Sequence, residues 1–288
     1  MRRRNKAMKE TKTPLEKAVL YVVLTVIAFI AIFPLLYIIL ASFRTNKEIF
    51  EYALPFTWKT LIPQNWTMNN YVAIFSEMGY GTALKNTLIV VAILVPLSML
   101  ISALGGFTFA FFDFKGKNIL FAICLISFMV PEDAVALPLY NLVSSLGMVN
   151  SYSALIFPGA ASGLAMFLFT QFFKEIPKSL VEAARIDGAS WIQVFFSVIL
   201  PLSVPVAITA GLMIFVNEWN NFFWPLLATR TEAARTIQVA LSYFSDENQV
   251  YFSYIFAGSA ISAVVPVLLF LPLQKYFVQG ITSSGVKG

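Results

Sequence analysis

Two adjacent acids, Glu132 and Asp133, follow Pro131 inside an otherwise apolar run, and a polar group formed by Asn217, Glu218, Trp219, Asn220 and Asn221 closes a second run. An acid inside a membrane-spanning segment costs roughly 2.5–3.5 kcal/mol on insertion scales, so it faces a cavity or a partner. Glu132 and Asp133 therefore either line a cavity and accept hydrogen bonds from ligand hydroxyls, or bond backbone groups freed near Pro131 and Pro138; cavity lining is preferred. The group at 217–221 reads either as an interfacial belt, where Trp prefers to lie, or as the mouth of a ligand pathway, where aromatic faces stack on rings and amides meet hydroxyls.

Other chemistries are excluded. No histidine occurs, and the single cysteine, Cys124, lies in an apolar run, which leaves no internal disulfide and no His-based metal or acid–base site. A phosphate-binding loop of the form G-x-x-x-x-G-K-[ST] is missing, since Gly116-Lys117-Asn118 lacks both the first glycine and the hydroxyl residue. The chain is thus no ATPase, and any ATP it depends on is hydrolysed by another chain. The residues predict no catalytic and no metal site.

A third cluster, Ile176 to Trp191, contains Pro177, Glu182, Ala183, Ala184, Arg185, Asp187 and Gly188. Pro177 suits the first turn of a helix, and Leu180, Ala183, Ala184 and Asp187 share one side at spacings of three and four. Gly188 can take the left-handed conformation that ends a helix, and a second short helix can start near Ser190 and run toward Leu200-Pro201. The spacing predicts a helix–turn–helix in which the alanines let another backbone approach while Glu182 and Arg185 offer charge to a partner. The bland reading is an ordinary solvated helix face.

These groups must be held by elements of a membrane protein. Of the 288 residues 58% are hydrophobic and 12% charged, and the mean hydropathy is +0.76, against about 25% charged residues in soluble domains. Six stretches approach the roughly 20 apolar residues that a spanning helix needs: 18–42, 86–112, 118–142, 151–173, 198–227 and 252–278. Prolines inside them, including Pro34, Pro96, Pro131, Pro138, Pro158, Pro205, Pro266 and Pro272, read as kinks. No internal repeat or long linker divides the chain. The expectation is one all-α domain of six transmembrane helices over 18–279, between a basic segment 1–17 and a tail 280–288.

Charge sets the orientation. Arg2, Arg3, Arg4, Lys6, Lys9, Lys12 and Lys17 precede the first run, and with Lys115, Lys117, Lys174, Lys178, Arg185, Lys275 and Lys287 they fall on one side; Arg44, Lys47, Lys59, Lys85, Arg230 and Arg235 fall on the other. Both termini are therefore expected to be cytoplasmic. The long first run without a clear cleavage site reads as a retained helix rather than a signal peptide. The net charge of +5 is concentrated at one end and implies no nucleic acid. Large loops lie outside at 43–85 and 228–251 and inside at 174–197.

Glu182-Ala183-Ala184, then Gly188, then Val198-Ile199-Leu200-Pro201 resembles the EAA loop of permease subunits in ATP-binding-cassette importers, with valine where isoleucine is usual. The resemblance covers nearly the whole chain and is to the carbohydrate branch of the maltose-transporter G-subunit type. Pro63 with Thr67, Asn70 and Tyr71 is similar to that branch's outer loop, and Pro131 with Pro138-Leu139-Tyr140 to its third span. The run Trp219-Asn220-Asn221-Phe222-Phe223-Trp224-Pro225 is similar to the end of its fifth span, and 280–288 to its carboxy-terminal tail.

That resemblance implies partners. The loop holding Glu182 would sit in a cleft of an ATPase subunit, the glutamate pairing with a basic residue and Gly188 forming the turn. Ser283, Ser284, Gly285, Val286 and Lys287 would reach into the ATPase dimer. A second homologous permease, two ATPase copies binding ATP and Mg, an extracytoplasmic solute-binding protein, membrane lipid and a sugar would complete the system in a bacterial or archaeal cytoplasmic membrane. Whether this subunit touches the sugar stays open. Rival readings are a permease for a glycerol phosphodiester or phosphate, disfavoured because the span interiors hold no Lys or Arg, and a secondary transporter or channel, which should show repeated halves or ion-pairing charges within the spans. A membrane-embedded enzyme lacks the necessary clustered groups.

Overall fold

The structure, a computed structural model, describes the backbone of residues 13–245 and 250–285 and the side chains of these up to Gln274. Apart from an isolated bridge between Ser245 and Val250, regular structure among the described residues is helical. The chain divides into two compact units, 1–71 with 251–260, and 72–250 with 261–288.

In the first unit, helix α1 (Pro14–Ala41) begins before the apolar run does. A capping box fixes its start: Thr13 N donates to Glu16 Oε2 at 2.8 Å and Glu16 N to Thr13 Oγ1 at 3.3 Å, with Pro14 at the first helical position. Residues 14–17, read above as part of the basic segment, thus belong to the helix. Pro34 does not end it, and its apolar side chains from Leu15 to Phe33 stay exposed, as expected of a helix facing lipid or another chain. Beyond it come α2 (Asn46–Glu51), α3 (Trp58–Leu61) and the start of α4 (Asn69–Ser76).

These short helices surround Arg44, which is 1% exposed. Its Nε bonds Glu48 Oε1 at 3.1 Å, Nη1 donates to Thr60 O at 2.8 Å, and Nη2 donates to Lys59 O. Glu48 in turn accepts from the Gln64 and Asn65 amides at 2.7 and 3.2 Å. Asn70 Nδ2 closes the loop by donating to Ser42 O and Arg44 O, each at 2.7 Å. A buried pair with all its remaining polar atoms bonded is what makes such a charge tolerable.

The second unit is built on α5 (Tyr80–Phe111), a helix that Pro96 does not break. It is followed by α6 (Lys117–Met129), α7 (Glu132–Ser145), α8 (Tyr152–Ile156), α9 (Gly163–Glu175), α10 (Lys178–Ile186) and α11 (Trp191–Val194). After a π turn over Phe195–Ile199 come α12 (Leu200–Leu202), α13 (Val204–Trp219), α14 (Phe223–Ala228), α15 (Ile237–Ser242) and α16 (Phe252–Gly285), whose first residues belong to the other unit. Helices α5 and α9 meet at backbone range. A Cβ on Gly106 would lie 2.7 Å from Phe169 Cβ and 3.0 Å from Thr170 N, so only glycine permits the approach.

Several expected spans are interrupted. Among the described residues, three helices are long and apolar enough to cross a bilayer (α1, α5 and 252–274), or five if each bent pair is one span. The third run bends by 98° between α6 and α7, where Val130 is extended and Pro131 caps the new helix. The residue before proline is driven out of the helical region, so Pro131 breaks the run instead of kinking it. The fifth bends by 84° at Ser203, where Pro205 lies in the first turn of α13. The fourth, 151–173, is divided into α8 and α9 across Pro158 and Gly159. There Ser102 of α5 stands in for the missing helical partners: its Oγ donates to Ser162 O at 3.1 Å and accepts from Ser162 N at 3.4 Å.

The segment 228–237 is tied to the top of α5. Asn86 Nδ2 donates to Ala233 O and Arg235 O, each at 2.9 Å, and its Oδ1 accepts from Tyr152 OH at 2.7 Å. Asn150, held at φ +65°, accepts at Oδ1 from the amides of Arg230 and Thr231, both at 3.0 Å. The tail residues Val286 and Lys287 lie outside the described residues, whereas the backbone of Ser283, Ser284 and Gly285 continues α16.

Candidate functional site

Helix α10 ends in a hydrogen-bond pattern that the sequence dictates. Gly188 stands at φ +87°; its amide donates to Arg185 O at 3.1 Å and the Ala189 amide to Ala184 O at 3.0 Å. This pair of bonds is the Schellman closure, which needs a left-handed residue just past the helix. Ser190 then starts α11 with a capping box, its Oγ accepting from Gln193 N at 3.3 Å while its own amide donates to Gln193 Oε1 at 2.7 Å. Two short helices are thereby locked around one turn.

The faces of this unit are sharply divided. Val181 and Val194 are buried, and Ala184 packs against the same core as Phe173, Ile176 and Phe195. Outward lie Leu180, Ile186 and Ile192, at 44%, 86% and 71% exposure. Glu182, Ala183 and Asp187 are also exposed, and Glu182 has no hydrogen bond or ion pair among the described residues. Arg185, by contrast, is engaged by its own loop: Nη1 donates to Ala189 O at 2.6 Å and the guanidinium lies 4.8 Å from the Trp191 ring centre. The tight turn returns Trp191 beneath the guanidinium, which itself stays exposed. Of the two alanines, only Ala183 is open to an approaching backbone.

Leu200 and Pro201, the second half of the motif, follow the π turn and precede the Ser203 bend. Leu200 packs on the core while Pro201 is exposed. Single π turns in otherwise α-helical segments are frequent at functional sites, and this one leads through α12 to α13.

The polar residues of the broken helices meet at a cavity of about 510 Å³, within the roughly 300–1,000 Å³ of small-molecule pockets. Glu132, Asn217, Glu218 and Asn221 line it, with Ser98 of α5 and Ser162 of the break before α9. Asn217 Nδ2 approaches Glu218 Oε1 at 3.5 Å. Gly159 makes room for this carboxyl: a Cβ there would lie 3.2 Å from Glu218 Oε1 and 2.9 Å from Leu94 Cδ1. Glu132 and Asp133 occupy the first turn of α7, where the helix dipole favours negative charge.

Not every expected residue arrives here. Asp133 is exposed and lies outside the cavity lining, since consecutive helical residues point about 100° apart. Trp219 is 1% exposed, donates from Nε1 to Ser262 O at 2.9 Å and stacks on Phe215; it is neither belt nor mouth but core. Asn220 caps α13, its Nδ2 bonded to Val216 O at 2.8 Å. Asn221, read together with Asn217 and Glu218, does line the cavity, whereas Ser98 was missed by the sequence reading. Asn221 lies just past the end of α13, beside Asn217 and Glu218 in the lining.

Helices long and apolar enough to cross a membrane, segments bent before Pro131 and Pro205, a polar cavity and an exposed two-helix turn define a multi-pass membrane protein. The chain belongs to the family described as binding-protein-dependent transport system inner membrane component, matched over residues 95–283. It is 38% identical to the arabinooligosaccharides transport system permease protein AraQ of Halalkalibacterium halodurans, over 98% of this chain and 100% of that one. It is 31% identical to the trehalose/maltose transport system permease protein MalG of Thermococcus litoralis, over 95% and 98%. In fold it is similar to a chain of a bacterial ABC transporter involved in import of the acidic polysaccharide alginate, with a TM-score of 0.78 over 92% of this chain and 99% of that one at 22% identity.

Proposed function

We propose that this chain is a permease subunit of an ATP-driven importer that carries a carbohydrate, an oligosaccharide in particular, across the cytoplasmic membrane of a bacterium or archaeon. Its relatives named for oligosaccharide and disaccharide transport match it from end to end. In this reading six segments span the membrane, the broken ones included, and both termini are cytoplasmic. The loop 174–197 docks on ATPase subunits, and Ser283, Ser284, Gly285, Val286 and Lys287 reach toward them. ATP and Mg are bound by those partners, a second permease completes the path, and a solute-binding protein meets the loops 43–85 and 228–251.

The observation that carries this reading is the division of the α10–α11 unit. One side is rooted in the core through Val181 and Val194, and the other presents Glu182, Ile186 and Ile192 with nothing on them. Moving a two-state equilibrium from 1:99 to 99:1 takes about 5.5 kcal/mol of differential binding. A partner can deliver that only through a stiff contact, and a doubly capped helix pair is stiff.

The test is to coexpress the chain with its neighbouring permease and ATPase genes, purify the complex and follow ATP hydrolysis with binding protein and candidate sugars. Glu182→Lys is expected to abolish stimulated hydrolysis or to weaken ATPase association. Failure of any ATPase to copurify, together with unchanged solute uptake by Glu182→Lys, overturns the proposal in favour of a secondary transporter.

A further inference from the structure

The 510 Å³ cavity carries an asymmetry of charge. Two of its lining side chains are acids, Glu132 and Glu218. None of its lining residues is Lys or Arg. Ser98 also lines it, wholly buried and with its hydroxyl unpartnered among the described residues, so the wall holds a polar group that its own neighbours do not satisfy. Gly159 keeps open the space that the Glu218 carboxyl occupies.

We propose that Glu132 and Glu218 act as an anion filter in this cavity, admitting uncharged sugars and turning back uronates and phosphorylated sugars. The proposal rests on the carbohydrate-importer reading and adds the substrate class. A neutral sugar presents hydroxyl donors, and carboxylates accept them. The amides of Asn217 and Asn221 supply donors beside the same acids, which matches the mixed donor and acceptor character of a hydroxyl. An anion would exchange its hydration shell for two carboxyls and no cation, and an unpaired charge in such surroundings is strongly disfavoured. Specificity of this kind is gained by repelling the wrong solute as much as by binding the right one. It separates this chain in chemistry from the alginate importer it is similar to in fold.

The filter can be read without knowing the sugar. In the full transporter, carrying Cys124→Ser to remove the native thiol, Ser127→Cys places a reporter on the cavity wall. During ATP turnover, its rates with trimethylammonium-ethyl and sulfonato-ethyl methanethiosulfonate are compared with those of a free small thiol. We expect the cationic reagent to be favoured about tenfold beyond the free-thiol ratio, and Glu132→Gln with Glu218→Gln to remove that preference. Should the double variant fail to assemble, Glu132→Gln alone, at an exposed position, must lower the ratio.

A ratio equal to that of the free thiol, a ratio unchanged by the substitutions, or no reaction with either reagent overturns the filter. Uptake of neutral arabino- and malto-oligosaccharides by the same complex tests the underlying reading separately. Charge preference without any carbohydrate uptake sinks the importer reading and leaves the filter standing; uptake without charge preference does the reverse.

Discussion

The ring of Trp191 lies 4.5 Å, centroid to centroid, from that of Phe112 at the end of α5. Phe107, on the last turns of α5, approaches the same indole at 6.3 Å and Phe195 at 5.3 Å. Arg185 covers the indole from the α10 side. A continuous aromatic contact therefore joins the exposed two-helix turn to α5, and α5 supplies Ser98 to the cavity wall. Under the proposed function, this packed contact is the route by which the turn would act on the cavity.

Removing the indole tests the route. Trp191→Ala should leave subunit assembly intact while lowering binding-protein-stimulated ATP hydrolysis and uptake together, by about tenfold, a loss of roughly 1.4 kcal/mol in coupling. Trp191→Phe, which keeps an aromatic ring against Phe112, should restore most of both. Equal, full activity of the two variants rules the route out.

Gly188 gives a second test, one of backbone alone. A Cβ there meets nothing within 4 Å, yet φ is +87°, so Gly188→Ala suffers only the left-handed penalty of about 1–2 kcal/mol. Gly188→Asn should be milder because asparagine tolerates that region better. The expected order of stimulated hydrolysis is Gly, Asn, Ala, with thermal stability of the complex following the same order. Were Gly188→Ala to match the parent in both, the turn would not limit coupling.

The sequence exposed the two-helix turn of α10 and α11 more fully than the cavity, for a physical reason. Pro177, Gly188 and Ser190 act through local backbone rules, so their spacing alone defines α10, the closure and α11. The apolar runs were equally visible, because length and hydropathy are local too. What escaped was tertiary. Pro131 breaks its run whereas Pro34 and Pro96 do not, and that difference depends on what replaces the lost bonds, as Ser102 does at the break before α9. Trp219 read equally as belt or as pathway mouth, but its carbonyl partner, Ser262 O, comes from α16. Arg44, counted above among the charges of one membrane side, is buried with Glu48, because the segment folds around the pair.

The α5–α9 contact is tested by adding one methyl group. Gly106→Ala would set a Cβ 2.7 Å from Phe169 Cβ and 3.0 Å from the backbone nitrogen of Thr170, and neither is the free end of a flexible side chain. The helices must part, and overpacking of this kind costs about 1–3 kcal/mol. Thermal unfolding of the detergent-solubilised complex should shift down by several degrees. Gly116→Ala is the control, since a Cβ there meets nothing within 4 Å and only its positive φ opposes it. A Gly106→Ala complex as stable as the parent would show that the two helices do not pack at this range.

Acid should loosen the segment 43–71 through Glu48. Burial, the largest single influence, pushes its carboxyl up, but hydrogen bonds from the Gln64 amide, Arg44 and the Asn65 amide, with the charge of Arg44, outweigh it and hold the group below its ordinary 4.5. A carboxyl depressed in the folded state adds stability that is fully present above its unfolded value and is lost as pH falls through the folded one. The Gln64 and Asn65 amides, both bonded to Glu48, should therefore stay protected from hydrogen exchange near neutral pH and lose protection only below the ordinary carboxyl range. Glu48→Gln should remove that acid dependence. At neutral pH it should also destabilise the segment by about 3–5 kcal/mol, because Arg44 is left buried without its counter-charge. Exchange at pH 7 and at pH 3, corrected for the intrinsic rate, measures both effects, and identical profiles for parent and variant would mean that the Arg44–Glu48 pair does not organise the loop.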